Sequence, residues 1–166
     1  MNRRHFLYLS GTSLASLLFV EHVDAFTTAH HLVHLPQKVF VKLDDGIHGL
    51  QSSDKQTWIY KDVMIKLHYN HGNLSVSVHS PTMALYNVQL QWAYVASSAS
   101  IVLGDHWERT YGDVHFQSPL FSRKLPWYLI QHNGAATTCF GVKTGCNTIC
   151  YWQVGNGKMQ LTMDAC

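Results

Sequence analysis

Residues 63–79 read VMIKLHYNHGNLSVSVH, and the pattern of this stretch decides the fold class. Val63, Ile65, Leu67 and Tyr69 alternate with Met64, Lys66 and His68. After Asn70-His71-Gly72-Asn73, Leu74, Val76 and Val78 alternate with Ser75, Ser77 and His79. Successive side chains of a strand point to opposite faces, so an apolar period of two turns one face to a core and the other to solvent. The Asn and Gly residues between the two runs supply turn conformations, so a hairpin connection is expected from Tyr69 to Leu74.

The same period recurs outward from this hairpin. Val39, Val41 and Leu43 form a short run, and Val88, Leu90, Trp92 and Tyr94 alternate with Gln89 and Gln91. Met159, Leu161 and Met163 alternate near the end of the chain. Turn chemistry marks the breaks at Asp44-Asp45-Gly46, Asn133-Gly134 and Gly155-Asn156-Gly157. Asn156-Gly157 predicts a second hairpin between CYWQV and KMQLTM. No window after residue 25 carries an apolar helical stripe with caps. The expected fold is therefore all-β, an antiparallel β-sandwich forming one domain over residues 26–166. KMQLTMDAC stops at Cys166 without a closing turn. The sandwich is accordingly expected to be incomplete, truncated at its C-terminus.

Residues 1–25 read differently. Arg3-Arg4 precede an apolar run from Phe6 to Val20, followed by Val23-Asp24-Ala25. This is the order of an export signal, basic then apolar then a small-residue cleavage site. The paired arginines resemble a twin-arginine signal. The run is shorter than the ~20 residues that span a bilayer. The expectation is an N-terminal signal helix, cleaved after Ala25, with the mature chain periplasmic or extracellular and not membrane-bound. An uncleaved anchor or a buried first helix is the alternative. Cleavage removes two arginines and two acids, Glu21 and Asp24, and leaves the net charge of +2 unchanged.

Apolar residues make up 46% of the chain and charged residues 13%, against about 25% charged in ordinary globular proteins. So apolar a chain is not disordered, and it shows no basic stripe for nucleic acid. Four cysteines (Cys139, Cys146, Cys150 and Cys166) match no zinc-site spacing. Export would allow three complete disulfide pairings, while buried reduced thiols are the plainer reading. His30, His31 and His34 lie close in sequence ahead of Pro36. In an extended segment His30 and His34 sit about 13 Å apart at ~3.3 Å per residue, too far to share an ion. They read as structural or surface histidines, and neither a metal nor a cofactor is expected.

Two features carry chemistry. Trp92 and Trp152 fall inside strand patterns and read as core, whereas Trp107 and Trp127 sit in polar contexts suited to a sugar face. GDHWERTYGDVHF, residues 104–116, packs Asp105, Glu108 and Asp113 around Arg109. Paired carboxylates can hydrolyse glycosides. The same residues can instead pin a loop through charge-assisted hydrogen bonds to Arg109, and the framing Gly104 and Gly112 favour a structured loop.

These residues resemble a known family. The run from Val102 to Phe116, then Pro126-Trp127-Tyr128-Leu129, Phe140-Gly141-Val142-Lys143-Thr144-Gly145 and Cys150-Tyr151-Trp152-Gln153-Val154, is similar to the N-terminal domain of glycoside hydrolase family 36. That family comprises the α-galactosidases and raffinose-synthase-like enzymes. HLVHLP, DDGIHGL, Trp58 and SPTMAL extend the resemblance over nearly all of residues 26–166. His106, Phe116 and Leu129 depart from the usual Ala, Trp and Phe. The resemblance implies a large β-sandwich preceding a (β/α)₈ barrel whose strand ends carry both catalytic aspartates. Such a barrel takes ~250 residues, and no residue here matches either aspartate motif.

The function implied is a non-catalytic N-terminal domain fragment of an α-galactosidase-like enzyme. Asp105, Trp107 and Arg109 are its expected accessory substrate-binding residues. A galactoside-type carbohydrate, the missing barrel or a second copy of the chain are its expected partners. A free-standing carbohydrate-binding module and a non-functional gene fragment are the alternatives.

Overall fold

The structure is a computed structural model that describes residues 13–19 (backbone pairing), 35–70, 72–105, 115–143 and 148–165. Two antiparallel sheets stack in a β-sandwich-like arrangement, so the all-β antiparallel expectation is met. The first sheet contains β1 (Ser13–Phe19), β4 (Thr57–Tyr60), β5 (Val63–Asn70), β6 (Asn73–His79), β8 (Ile101–Gly104), β10 (Tyr128–His132) and β11 (Thr137–Val142). Its strand order is β4-β5-β6-β1-β11-β10-β8. The second sheet contains β2 (Lys38–Leu43), β3 (Gly46–Gly49), β7 (Asn87–Ala93), β9 (Leu125–Pro126), β12 (Ile149–Gly155) and β13 (Lys158–Asp164), ordered β3-β2-β7-β13-β12-β9.

The period-two stretches form these strands. β5 and β6 pair from Met64↔His79 to Asn70↔Asn73, which is the hairpin read at residues 63–79. β12 and β13 pair down to Gly155↔Lys158. The two residues between them, Asn156 (φ 52°) and Gly157 (φ 74°), are both left-handed, as a tight hairpin turn with the twist of its strands requires.

The inward positions of both sheets form one core. Val63, Ile65, Leu67, Leu74 and Val76 face Val39, Val41, Val88, Leu90 and Leu161 within one buried cluster. Trp152 is fully buried. Its ring centroid lies 6.1 Å from that of Trp92 in its own sheet and 5.7 Å from that of Phe140 in the opposite sheet. Trp92 and Trp152 thus fill the core as their strand positions indicated.

Two expectations are corrected. The first is the signal helix: Ser13–Phe19 is a strand, antiparallel to β6 from Ser13↔Val78 to Leu17↔Leu74 and to β11 from Leu17↔Val142 to Phe19↔Phe140. A helix would satisfy its backbone internally, whereas here the backbone of these residues completes the ladders of two strands that have no other neighbour on that side. The second is the simple alternation of β13, where Met159, Gln160, Leu161, Thr162 and Met163 are all buried. β13 lies inside the second sheet between β7 and β12, and the side chains of those neighbours close over its outer face. Among the described residues no helix is long and apolar enough to cross a membrane.

Candidate functional site

Segments of both sheets converge on Trp127. β9 ends at Pro126 in the second sheet and β10 begins at Tyr128 in the first, so Trp127 is the residue at which the chain changes sheets. Its backbone is tied to both. The Trp127 N–H donates to the Cys150 carbonyl of β12 at 3.1 Å, and its carbonyl accepts from the Val142 N–H of β11 at 2.8 Å. The corner requires φ of +66° at Trp127, a left-handed conformation that side chains bearing a Cβ adopt at a cost of about 1–3 kcal/mol. The surrounding ladders hold it there, and the indole is half-buried against the core.

The stretch GDHWERTYGDVHF departs from the same neighbourhood. Gly104 ends β8 and is the register partner of Leu129 in β10. A Cβ on Gly104 would lie 2.7 Å from the Leu125 Cβ, closer than carbon atoms pack, so only glycine lets β8 approach β9 here. The stretch also returns to its origin: the Val102 N–H donates to the Gln117 carbonyl at 2.8 Å, and the Gln117 N–H donates back at 2.9 Å. The residues on either side of the block are thus joined by a pair of backbone bonds, and residues 106–114 themselves lie outside the described residues.

The predicted site residues fall as follows. Asp105 is buried, 6% exposed, at the foot of this loop, where neighbouring groups engage it. Trp107 and Arg109 lie outside the described residues, as do Glu108, Asp113 and the His30, His31 and His34 group. Of the three expected accessory residues the structure describes Asp105 alone, directly after Gly104 of β8. Lys143, of the GVKTG motif, directly follows Val142.

Charges flank the corner. The Lys124 ammonium lies 4.8 Å from the centroid of Tyr151. At the far, turn end of the β12–β13 hairpin, that of Lys158 lies 4.1 Å from the centroid of Phe121. Burial pushes the Arg123 guanidinium below its usual pKa. Burial also pushes the Cys139 thiol up, which keeps this free, half-buried cysteine protonated at neutral pH. The buried Cys150 sulfur sits 3.5 Å from the Thr148 hydroxyl.

A second concave region lies across the first sheet, beside β4 and β5. It is an open cleft of about 480 Å³ lined by Leu35, Lys55, Gln56, His68 and Tyr69. β6, β1 and β11 separate β5 from β10 in the sheet. Near the β3 end of the second sheet, Asp45 accepts a hydrogen bond from His48 at 2.7 Å and meets Lys61 at 3.6 Å. His48 stacks on Tyr60 with ring centroids 4.5 Å apart. The hydrogen bond from His48 is the main cause that lowers the Asp45 pKa. These contacts tie the β2–β3 turn to the β4–β5 turn. Among the described residues no group of His, Cys, Asp and Glu is placed to hold a metal ion.

Chemically, the corner offers a half-buried indole, a buried carboxylate and flanking cations on a rigid two-sheet frame. The sequence marked Trp127 as a candidate ligand residue by its polar context, but its left-handed backbone and its bond to each sheet carry no signal in the residues themselves. Comparison of the chain with family models, with curated proteins and with solved structures finds no match.

Proposed function

We propose that this chain is the non-catalytic N-terminal β-sandwich domain of an α-galactosidase-like glycosidase, exported to the periplasm or beyond the cell. Its role is to frame the sugar site and dock on a catalytic barrel. One observation carries the reading. Gly104 packs on Leu125, and the Trp127 backbone bonds Cys150 and Val142, so described residues from four of the resembling motifs lie near one corner. Motifs that only filled a core would have no reason to gather at one corner. In this reading Asp105, Trp107 and Arg109 are the accessory residues for the sugar. Arg3-Arg4, which resemble a twin-arginine signal, support the export part.

The test is to sequence the source gene past the codon for Cys166 and to assay the purified chain on α-galactosides. An open frame running into a barrel with two strand-end aspartates, and no galactose released by the chain alone, are the expected results. Galactose release by the 166-residue chain refutes the non-catalytic role. A continuing frame that encodes no barrel refutes the domain assignment.

A further inference from the structure

The outward face of the second sheet carries amides where soluble sheets usually carry charges. In cross-strand register, Gln91 of β7 lies opposite Gln160 of β13, and Gln160 lies opposite Gln153 of β12. Lys38 of β2 continues this row beyond Gln91. The next row runs Phe40, Gln89, Thr162 and Tyr151. These residues alternate with core positions such as Val39, Leu90, Leu161 and Trp152, which fixes them on the outer face. Neighbouring strands are ~4.8 Å apart, so a row over four strands spans about 14 Å, the scale of a short oligosaccharide.

The amides are held in place by one another. The Gln91 Nε2 donates to Gln160 Oε1 at 3.4 Å, and the Gln160 Nε2 donates to Thr162 Oγ1 at 3.2 Å. The Gln89 Nε2 donates to Asn87 Oδ1 at 3.1 Å, and the Gln153 Nε2 donates to the Phe121 carbonyl at 2.8 Å. Gln160 is only 8% exposed and Thr162 is fully buried, so the row has a fixed floor. Gln89, Gln91, Gln153, Tyr151 and Phe40 are half-buried and rise above it.

We propose that this face binds a neutral oligosaccharide laid across strands β2, β7, β13 and β12. The chemistry selects that ligand. Each glutamine amide has two N–H donors and a carbonyl with two acceptor sites, which its bonds to neighbours only partly use, and sugar hydroxyls are both donors and acceptors. Among the described residues the central amides carry no charge, with Lys38, Lys42, Asp164 and, over Tyr151, Lys124 at the margins, so the centre fits an uncharged polyol and not a phosphate backbone. The Phe40 ring adds an apolar patch at one side for the C–H face of a pyranose, while the Lys124 ammonium lies over the Tyr151 ring at the other. Fixing the amides before binding lowers the ordering cost that flexible glutamines would carry. The inference rests on this amide pattern and not on the Trp127 corner, so it stands or falls separately from the reading above.

The experiment titrates the ¹⁵N-labelled full chain with raffinose, stachyose, cellotetraose and xylotetraose, following backbone and glutamine side-chain amide resonances by NMR. The expected result is saturable shifts of the Gln89, Gln91, Gln153 and Gln160 side-chain amides with at least one sugar. Gln91→Met with Gln160→Met keeps side-chain volume and should weaken that sugar about tenfold or more. Gln89→Met serves alone if the double variant fails to fold, and Trp127→Ala should leave these shifts in place. Absence of glutamine shifts up to about 100 mM of every sugar overturns the proposal. So do affinity unchanged in the Met variants, shifts confined to residues around Trp127, and shifts that follow protein concentration, which mark a second copy on the face. Binding of the glucose or xylose sugars without the galactosides upholds the face and counts against the α-galactoside reading.

Discussion

Replacing Gly104 by Ala tests whether the close approach of β8 to β9 holds the two sheets in register at the Trp127 corner. The added methyl would lie 2.7 Å from the Leu125 Cβ and 3.0 Å from its Cγ and Cδ2. Rotating Leu125 cannot clear the nearest contact, because its Cβ is fixed by a backbone that pairs with Trp152, and the side chain is 1% exposed. Overpacking of this kind costs about 1–3 kcal/mol. For a chain of this size each kcal/mol lowers Tm by roughly 2–4 °C, so Gly104→Ala should melt about 2–12 °C early. The sharper measurement is a double-mutant cycle by urea denaturation. Leu125→Ala alone leaves a cavity and costs about 2–5 kcal/mol. In the Gly104→Ala background it should cost at least ~1 kcal/mol less, since the Cγ and Cδ2 clashes vanish and the new methyl fills part of the void. A Tm for Gly104→Ala within about 1 °C of the parent, or additivity within ~0.5 kcal/mol, would refute the packing argument.

Phe140→Ala removes a ring that is 1% exposed and reaches across the sandwich to Trp152, and should cost about 3–5 kcal/mol in a urea titration. Asn156→Ala places a methyl-bearing residue at φ 52° and should lose about 1 kcal/mol, whereas Asn156→Gly should change stability by a few tenths; equal losses would argue against a strained turn. Asp45, Asp54 and Asp62 have lowered pKa values, caused chiefly by the hydrogen bonds from His48, the Thr57 N–H and the Thr82 hydroxyl respectively. Each folded pKa lies below its unfolded value, so the stability they contribute is present above about pH 4 and is lost as pH falls through the folded values. Tm measured from pH 6 to pH 2 should fall over that window, and Asp54→Asn should flatten the fall; a flat parent curve would contradict it. Cys139 should react slowly with a thiol reagent at neutral pH in the folded chain and fast in urea, with Cys139→Ser identifying its share of the signal.

The strands were legible because their inward residues are large and their spacing is regular. Val39 to Leu43, Val63 to Leu67, Leu74 to Val78 and Val88 to Trp92 appear in the structure as strands with the expected faces inward, whereas Tyr69, at the turn end of β5, is exposed. Gly72 and Asn156-Gly157 marked turns because left-handed geometry selects few residue types. Ser13–Phe19 misled because an apolar segment broken by small residues suits either an export signal or a strand, and only its neighbours in space decide. The Trp127 corner was half visible. The tryptophan stood out by context, but a single left-handed residue joining two sheets depends on where β11 and β12 lie, which no local pattern encodes. The amide face was present in the letters as Gln89 and Gln91. Its extent emerged only when register brought Gln153 and Gln160 beside them.

β1 has a further consequence for the wall it completes. It runs antiparallel to both β6 and β11, so those two strands run parallel to each other with one strand's width between them. β4, β5 and β6 form one plank of that wall and β11, β10 and β8 the other, and β1 is the batten that joins them. A peptidase acting after Ala25 would cut a few residues beyond Phe19 and release the batten. The ladder edges of β6 and β11 would then lie open, ready for any extended segment running the same way. Under such processing a single peptide bond sets whether this half of the sandwich is one continuous surface or two planks with a gap between them.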